Sequence, residues 1–221
     1  MTTFTPWADT VNAAIAYLGN TDPVMANAIA MVGPCTLIPN PNIFEALVDA
    51  IISQQISVKA ADAIVARVRA ATADGLITPE ALLLLDHDAL RAAGLSTPKA
   101  RYIRDLTEKI TGGQLDLAVL EHLADEEVIE KLVAVKGIGR WTAEMILIFS
   151  LSRPDVLPVD DLGFIEGVRG SYGLSERPTR KEMQARGEQW RPYRTFATWY
   201  MWGIRRLSQH NDRARTRIVS L

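Results

Sequence analysis

Apolar positions recur three and four apart through nearly the whole chain, separated by polar or Gly/Pro-rich breaks, and nowhere alternate with the period of two that a strand needs. Val11, Ala14, Ile15 and Leu18 share one helical face, so the spacing predicts a helix over Trp7–Leu18. A second follows over Pro23–Met31, after the break Gly19-Asn20-Thr21-Asp22. Gly33-Pro34 through Pro39-Asn40-Pro41-Asn42 reads as a connection between lobes. Helices are then predicted over Phe44–Ser53 and from Val58 onward, with Gln54-Gln55-Ile56-Ser57 between them. Thr78-Pro79-Glu80 and Asp86-His87-Asp88 open two more, the latter ending at Gly94. Arg101–Thr111 stops at Gly112-Gly113, and Asp116–Leu123 and Asp125–Val135 continue the series. The fold class is therefore all-α.

The stretch from Leu132 to Asp161 organises the rest. An apolar helical end breaks at Gly137-Ile138-Gly139 and restarts at Trp141 through Phe149. Glycines two apart between apolar helical runs permit a tight turn with positive φ and leave backbone N–H groups bare where the second helix starts. Such a turn can hold a phosphate, because donors and the positive end of the helix dipole converge on one point. An ordinary helix-turn-helix corner fits the glycines equally well. Asp160 and Asp161 follow, just before Leu162-Gly163-Phe164-Ile165, where the usual job of Asp is to cap a helix.

Composition narrows the picture in two ways. With 221 residues, 48% of them hydrophobic, the chain can bury a substantial core. Its formal net charge of -2 gives no sign of a nucleic-acid binder, but the distribution does. No Lys or Arg precedes Lys59, whereas Arg177–Leu221 holds eleven against Glu182, Glu188 and Asp212, a local balance of +8 that suits a phosphate backbone or a solvated surface. Cys35 is the sole cysteine, which excludes an intrachain disulfide and a four-cysteine iron-sulfur site. The first thirty residues lack a basic leader and contain Asp9 and Asp22, so no signal peptide or membrane span is expected and the location expected is cytoplasmic.

In order and spacing, the IISQQIS stretch, the glycine hairpin and the following acid resemble the helix-hairpin-helix DNA glycosylases, from about Phe44 to Trp202. Within that superfamily the chain is most similar to the alkylation-repair branch, DNA-3-methyladenine glycosylase II. The resemblance implies two helical lobes with a DNA-binding cleft between them. One lobe spans residues 44–149; residues 1–43 join 150–221, which starts with the catalytic Asp loop, in the other. The larger enzymes of that branch carry an N-terminal β-rich domain, which is not expected here because the motifs begin so early.

The resemblance also implies roles. Backbone N–H groups of Gly137, Gly139 and Thr142 would hold a DNA phosphate, with Arg140 as an outer contact. Carbonyls of Val133, Val135 and Ile138 would hold a monovalent cation, Na+ or K+, with no other cofactor required. Gln55, with Gln54 beside it, would fill the gap left when a base is pulled from the duplex. Asp161 would be the catalytic carboxylate, stabilising an oxocarbenium-like sugar and orienting water, with Asp160 capping the helix or supporting its neighbour. Trp141 and Trp202 would form the base pocket, since an alkylated, cationic base stacks well on indole.

Trp141 stands where bifunctional members carry the Lys that forms a Schiff base, so the chain is expected to be monofunctional. Met145 stands where the branch often has Tyr, which bears on substrate range. Lys99 and Arg101 read as solvated helix charges, and Trp190-Arg191-Pro192-Tyr193-Arg194 as structural. The expected activity is excision of alkylated bases from double-stranded DNA by a monomer away from membranes. A glycosylase for etheno adducts, methylated pyrimidines or mismatches, and a non-catalytic DNA-structure binder, are the alternatives.

Overall fold

Short polar side chains start most of the helices among the described residues. The computed structural model describes residues 7–219, with side chains through Gln209. Among them every α- and 3-10 element is helical and no strand occurs. Asp22 caps α2 (Pro23–Val32), accepting from the Val24 and Met25 amides; α1 (Trp7–Thr21) precedes it. Asn42 caps α3 (Ile43–Ser53), Ser57 caps α4 (Val58–Ala71) and Thr78 caps α5 (Pro79–Leu83). Asp86 caps α6 (His87–Ala92) and Ser96 caps α7 (Thr97–Thr111). Each cap is worth about 1 kcal/mol against Ala, because it satisfies an amide the helix leaves orphaned. The helix expected over 116–123 is instead a 3-10 turn, Ala118–His122: the Asp116 carboxylate takes the Ala118 amide (2.9 Å) and tightens the chain before an α-turn can form.

The chain divides into two units: Pro39–Leu151, and the part before Pro39 together with the part after Leu151. The first holds α3 to α7, then α8 (Asp125–Val133) and α9 (Arg140–Phe149). Its core is built from Leu47, Ile51, Leu90, Leu106, Leu132 and Leu147, all essentially inaccessible. The Asn40 amide donates to the Phe149 carbonyl (2.7 Å) and ties the start of the unit to its end.

The second unit holds α1 and α2 with α10 (Leu162–Ser171), α11 (Arg180–Gly187) and the long α12 (Arg194–Val219). Its polar centre is Asp22, only 4% exposed, which besides capping α2 accepts from the Tyr172 hydroxyl, Gln189 Nε2 (3.1 Å) and Trp190 Nε1 (3.1 Å). Burial pushes its carboxyl up, but the donors from Tyr172, Trp190 and the two amides outweigh that and hold it below the usual carboxylate value. Trp190 is fully buried, and Arg191 and Arg194 both grip Asp155 (2.7 Å each), so the Trp190–Arg194 stretch is structural as expected. Helices α10 and α12 meet backbone to backbone at Gly167, where a Cβ would lie 2.2 Å from the Met201 carbonyl oxygen. That close approach sets where Trp202, the next residue, lies.

Candidate functional site

In the first unit the break between α8 and α9 is a hairpin held from several sides. Gly137 takes φ 84°, and a Cβ there would stand 2.2 Å from the Tyr102 ring of α7, so both the backbone conformation and the packing demand glycine. The Ile138 amide donates to Val135 O (3.1 Å) and the Lys136 amide to Asp105 Oδ2 (3.0 Å). No acceptor among the described residues takes the N–H of Gly137 or Gly139, and the Thr142 N–H belongs to the first turn of α9, which has no intrahelical partner. These three donors at a positive helix end can hold an anion.

Of the three carbonyls expected at a cation, Val135 O accepts one amide and keeps a second lone pair. Among the described residues no group of three or more His, Cys, Asp and Glu side chains could hold a metal ion. Arg140, expected as an outer phosphate contact, is also engaged within the protein. Its guanidinium forks onto Glu126 (2.6 and 2.9 Å) and reaches Glu144 (3.1 Å), and the Glu126 bonds hold it well above its usual pKa. It clamps α8 to α9 across the hairpin, and these three bonds use three of its five N–H groups.

The Gln54-Gln55 segment is a tight turn with an unusual occupant. Gln54 has φ −52°, ψ 125°, Gln55 has φ 58°, and the Ile56 amide returns to Ser53 O (3.3 Å). This is a type II turn, whose third position normally belongs to Gly or Asn. Placing Gln there costs about 1 kcal/mol. Gln55 is exposed, whereas Gln54 turns inward and donates through Nε2 to Gly137 O (2.8 Å). The two residues expected side by side in the gap thus part company: Gln55 is displayed and Gln54 is tied to the hairpin. Lys99, expected to be a solvated charge, donates through Nζ to Ile52 O (2.7 Å) and Gln54 O (2.6 Å), and burial pushes its ammonium pKa down. No local sequence signal could mark this contact, which spans 45 residues.

The second unit carries Asp161 and Trp202. Asp161, half-buried, is the N-cap of α10, and one oxygen, Oδ1, accepts from the Phe164 amide (2.6 Å) and from Trp202 Nε1 (2.7 Å). Asp160 does not cap; it is exposed and pairs with Arg180 (2.9 Å). The capping role expected of Asp160 falls to Asp161, because the turn from Pro158 to Asp161 brings the second acid to the helix start. A groove of about 360 Å³ opens beside the pair, lined by Leu162, Gly163, Trp202, Arg205 and Arg206 among others. Trp202 therefore orients the carboxylate as well as offering an indole face.

Trp141 and Met145 lie one turn apart on α9 in the first unit, Trp141 48% exposed and Met145 half-buried. Among the described residues of the basic C-terminal stretch, five arginines are engaged within the protein: Arg177 pairs with Glu166, Arg180 with Asp160, Arg191 and Arg194 with Asp155, and Arg186 sits over the Tyr172 ring. Arg213, Arg215 and Arg217 lie outside the described side chains.

Residues 48–192 match the HhH-GPD superfamily base excision DNA repair protein family. DNA-3-methyladenine glycosylase 1 of Schizosaccharomyces pombe is 38% identical over 174 residues, covering 78% of this chain and 76% of its own. The solved S. pombe 3-methyladenine DNA glycosylase Mag1, in complex with abasic DNA, has a TM-score of 0.75 at 36% identity, covering 86% of this chain and 95% of that one. The DNA-3-methyladenine glycosidase of Bacillus halodurans has a TM-score of 0.78 at 40% identity, covering 93% and 91%. With the glycine hairpin and the Asp161 cap in place, this chain belongs to the HhH-GPD superfamily of base excision DNA repair proteins.

Proposed function

We infer that this protein is a DNA glycosylase that hydrolyses the N-glycosidic bond of alkylated bases, of the 3-methyladenine and 7-methylguanine type, in double-stranded DNA. The observation that carries the reading is the Asp161 carboxylate fixed at one oxygen by the Phe164 amide and Trp202 Nε1. A carboxylate preset in this way stabilises the positive charge that develops on the sugar as the base departs, and it orients the attacking water. The hairpin amides of Gly137, Gly139 and Thr142 grip a phosphate, and Gln55 enters the space vacated by the everted base. Trp141 and Trp202 offer indole faces to a cationic base. An indole at position 141 cannot form a Schiff base, so the product is an abasic site in an intact strand.

A monovalent cation at the carbonyls of Val133, Val135 and Ile138 would add positive charge under the same phosphate. The compartment is the reducing cytoplasm, which suits a chain with a single cysteine; among the described residues no helix is long and apolar enough to cross a membrane. Met145, in place of an aromatic residue, makes the pocket looser or shapes it for a different alkylated base.

The test is a panel of duplexes, each holding one damaged base, assayed for strand breaks before and after alkali. Breaks on the alkylated purines that appear only after alkali are expected. Breaks without alkali overturn the monofunctional assignment, and release confined to etheno adducts, methylated pyrimidines or mismatches overturns the lesion class. Lesion binding without release of any base would make the protein a DNA-structure binder.

A further inference from the structure

Three contacts in the first unit converge on the Gln55 turn. Lys99, near the start of α7, puts its ammonium on two carbonyls at the C-terminal end of α3, Ile52 O and Gln54 O (2.7 and 2.6 Å). Cationic donors at a helix C-terminus are favoured by the dipole, and here they also fix the direction in which the chain leaves the helix. Gln54 donates to Gly137 O (2.8 Å), so the turn and the hairpin share a hydrogen bond across 83 residues of sequence. Tyr102, three residues beyond Lys99 on α7, lies against Gly137. One face of α7 therefore touches both the turn and the hairpin, and Gln54 bridges them. Gln55 is held between these contacts at φ 58°, a conformation that an unsupported turn of non-glycine residues leaves readily.

We propose that Lys99 and Gln54 are positioning residues that lock the Gln55 turn to the phosphate-binding hairpin, so that gripping the backbone and filling the base gap occur in one register. Gln54 is on this account no inserting residue, and the ammonium of Lys99 serves the protein's own carbonyls rather than DNA. The proposal rests on the reading of Gln55 as the gap-filling side chain.

The experiment measures single-turnover base release from two duplexes carrying 7-methylguanine, one opposite cytosine and one opposite a tetrahydrofuran abasic analogue. The second has no pair to break and no partner base to orphan, so it has less need of a gap-filling residue. Lys99→Met and Gln54→Ala are expected to release base about tenfold more slowly than the parent from the paired duplex, and within about threefold of it from the other. Lys99→Arg, which can still donate to both carbonyls, should restore most of the paired-duplex rate. Equal losses on the two substrates, or no loss on the paired one, overturn the proposal. Gln55→Ala run in parallel separates the levels: no paired-duplex loss there sinks the insertion reading itself. A selective loss in Gln55→Ala, with Lys99→Met and Gln54→Ala at the parent rate, sinks only the positioning role. If Lys99→Met fails to melt cooperatively, Gln54→Ala and Lys99→Arg carry the test.

Discussion

The two units present their chemistry in opposite ways. In Pro39–Leu151 the proposed DNA-binding groups are mostly main chain: amides of Gly137, Gly139 and Thr142, set by a glycine with positive φ and by the Tyr102 ring beneath it. In the other unit they are side chains, a carboxylate and an indole bonded to each other and carried on α10 and α12. A main-chain clamp reads shape and charge and is indifferent to which base is damaged, whereas a carboxylate acts only where positive charge develops. On the proposed function, binding and chemistry are separable, and substitutions should divide along the same line.

The largest effect expected is on the chemical side. Asp161→Asn keeps the shape and an oxygen that can still accept from Phe164, but it removes the charge; base release should fall about a thousandfold. Affinity for lesion duplex, read by fluorescence anisotropy, should change little. A variant that bound normally and released base at the parent rate would remove Asp161 from the mechanism.

Gly137→Ala strikes the other side. Its Cβ would enter the Tyr102 ring at 2.2 Å, at a φ that Ala avoids, so a loss of about 3 kcal/mol in stability is expected by urea denaturation. Binding should weaken alike for damaged and undamaged duplex, with no change in preference between lesions. Loss of lesion preference at unchanged affinity would break the comparison.

Asp22→Asn tests the frame on which Asp161 and Trp202 stand. It turns an amide group toward donors from Tyr172, Gln189 and Trp190, and about 2 kcal/mol should be lost. Because the folded carboxyl lies below its ordinary value, its contribution is complete above the unfolded pKa of about 3.9 and disappears as pH falls through the folded one. The stability gap between parent and variant should therefore be full at neutral pH and narrow in acid below about pH 4. A gap that widened with acid would contradict the depressed carboxyl.

The smallest effect is the most diagnostic for the turn. Gln55→Gly relieves a left-handed residue but adds chain entropy to the unfolded state, so stability should stay within about 1 kcal/mol of the parent. Base release from paired duplex should nonetheless slow. Equal speed would mean that the exposed Gln55 has no part in eversion.

Several of these features are legible in the residues. Thr78 and Asp86 announce helix starts because a cap acts on amides two or three residues away, within reach of local reading, whereas α7 begins at Thr97 behind the Ser96 cap, four residues before the expected Arg101. The hairpin glycines are legible for the same reason, since positive φ is a property of one residue. Less legible are Arg140, whose charge goes to Glu126 and Glu144 rather than outward, and Lys99, which caps a helix 45 residues away. In both, the residue type allows several partners and distance along the chain hides the one chosen. The same holds for the C-terminal arginines, most of whose described members find carboxylates within the protein.

By itself, the order of residues determined the all-helical class, where several of the helices begin and break, and the positions of the hairpin, the acid pair and the tryptophans. Tertiary structure alone decided that Asp161 rather than Asp160 caps α10, that Trp202 donates to it, and that Gln54 and Gln55 face different ways. The division has a physical cause. Caps, turns and periodicity arise from forces acting within a few residues, whereas the partner of a carboxylate or an ammonium is set by which helices can approach closely enough, as α10 and α12 do at Gly167.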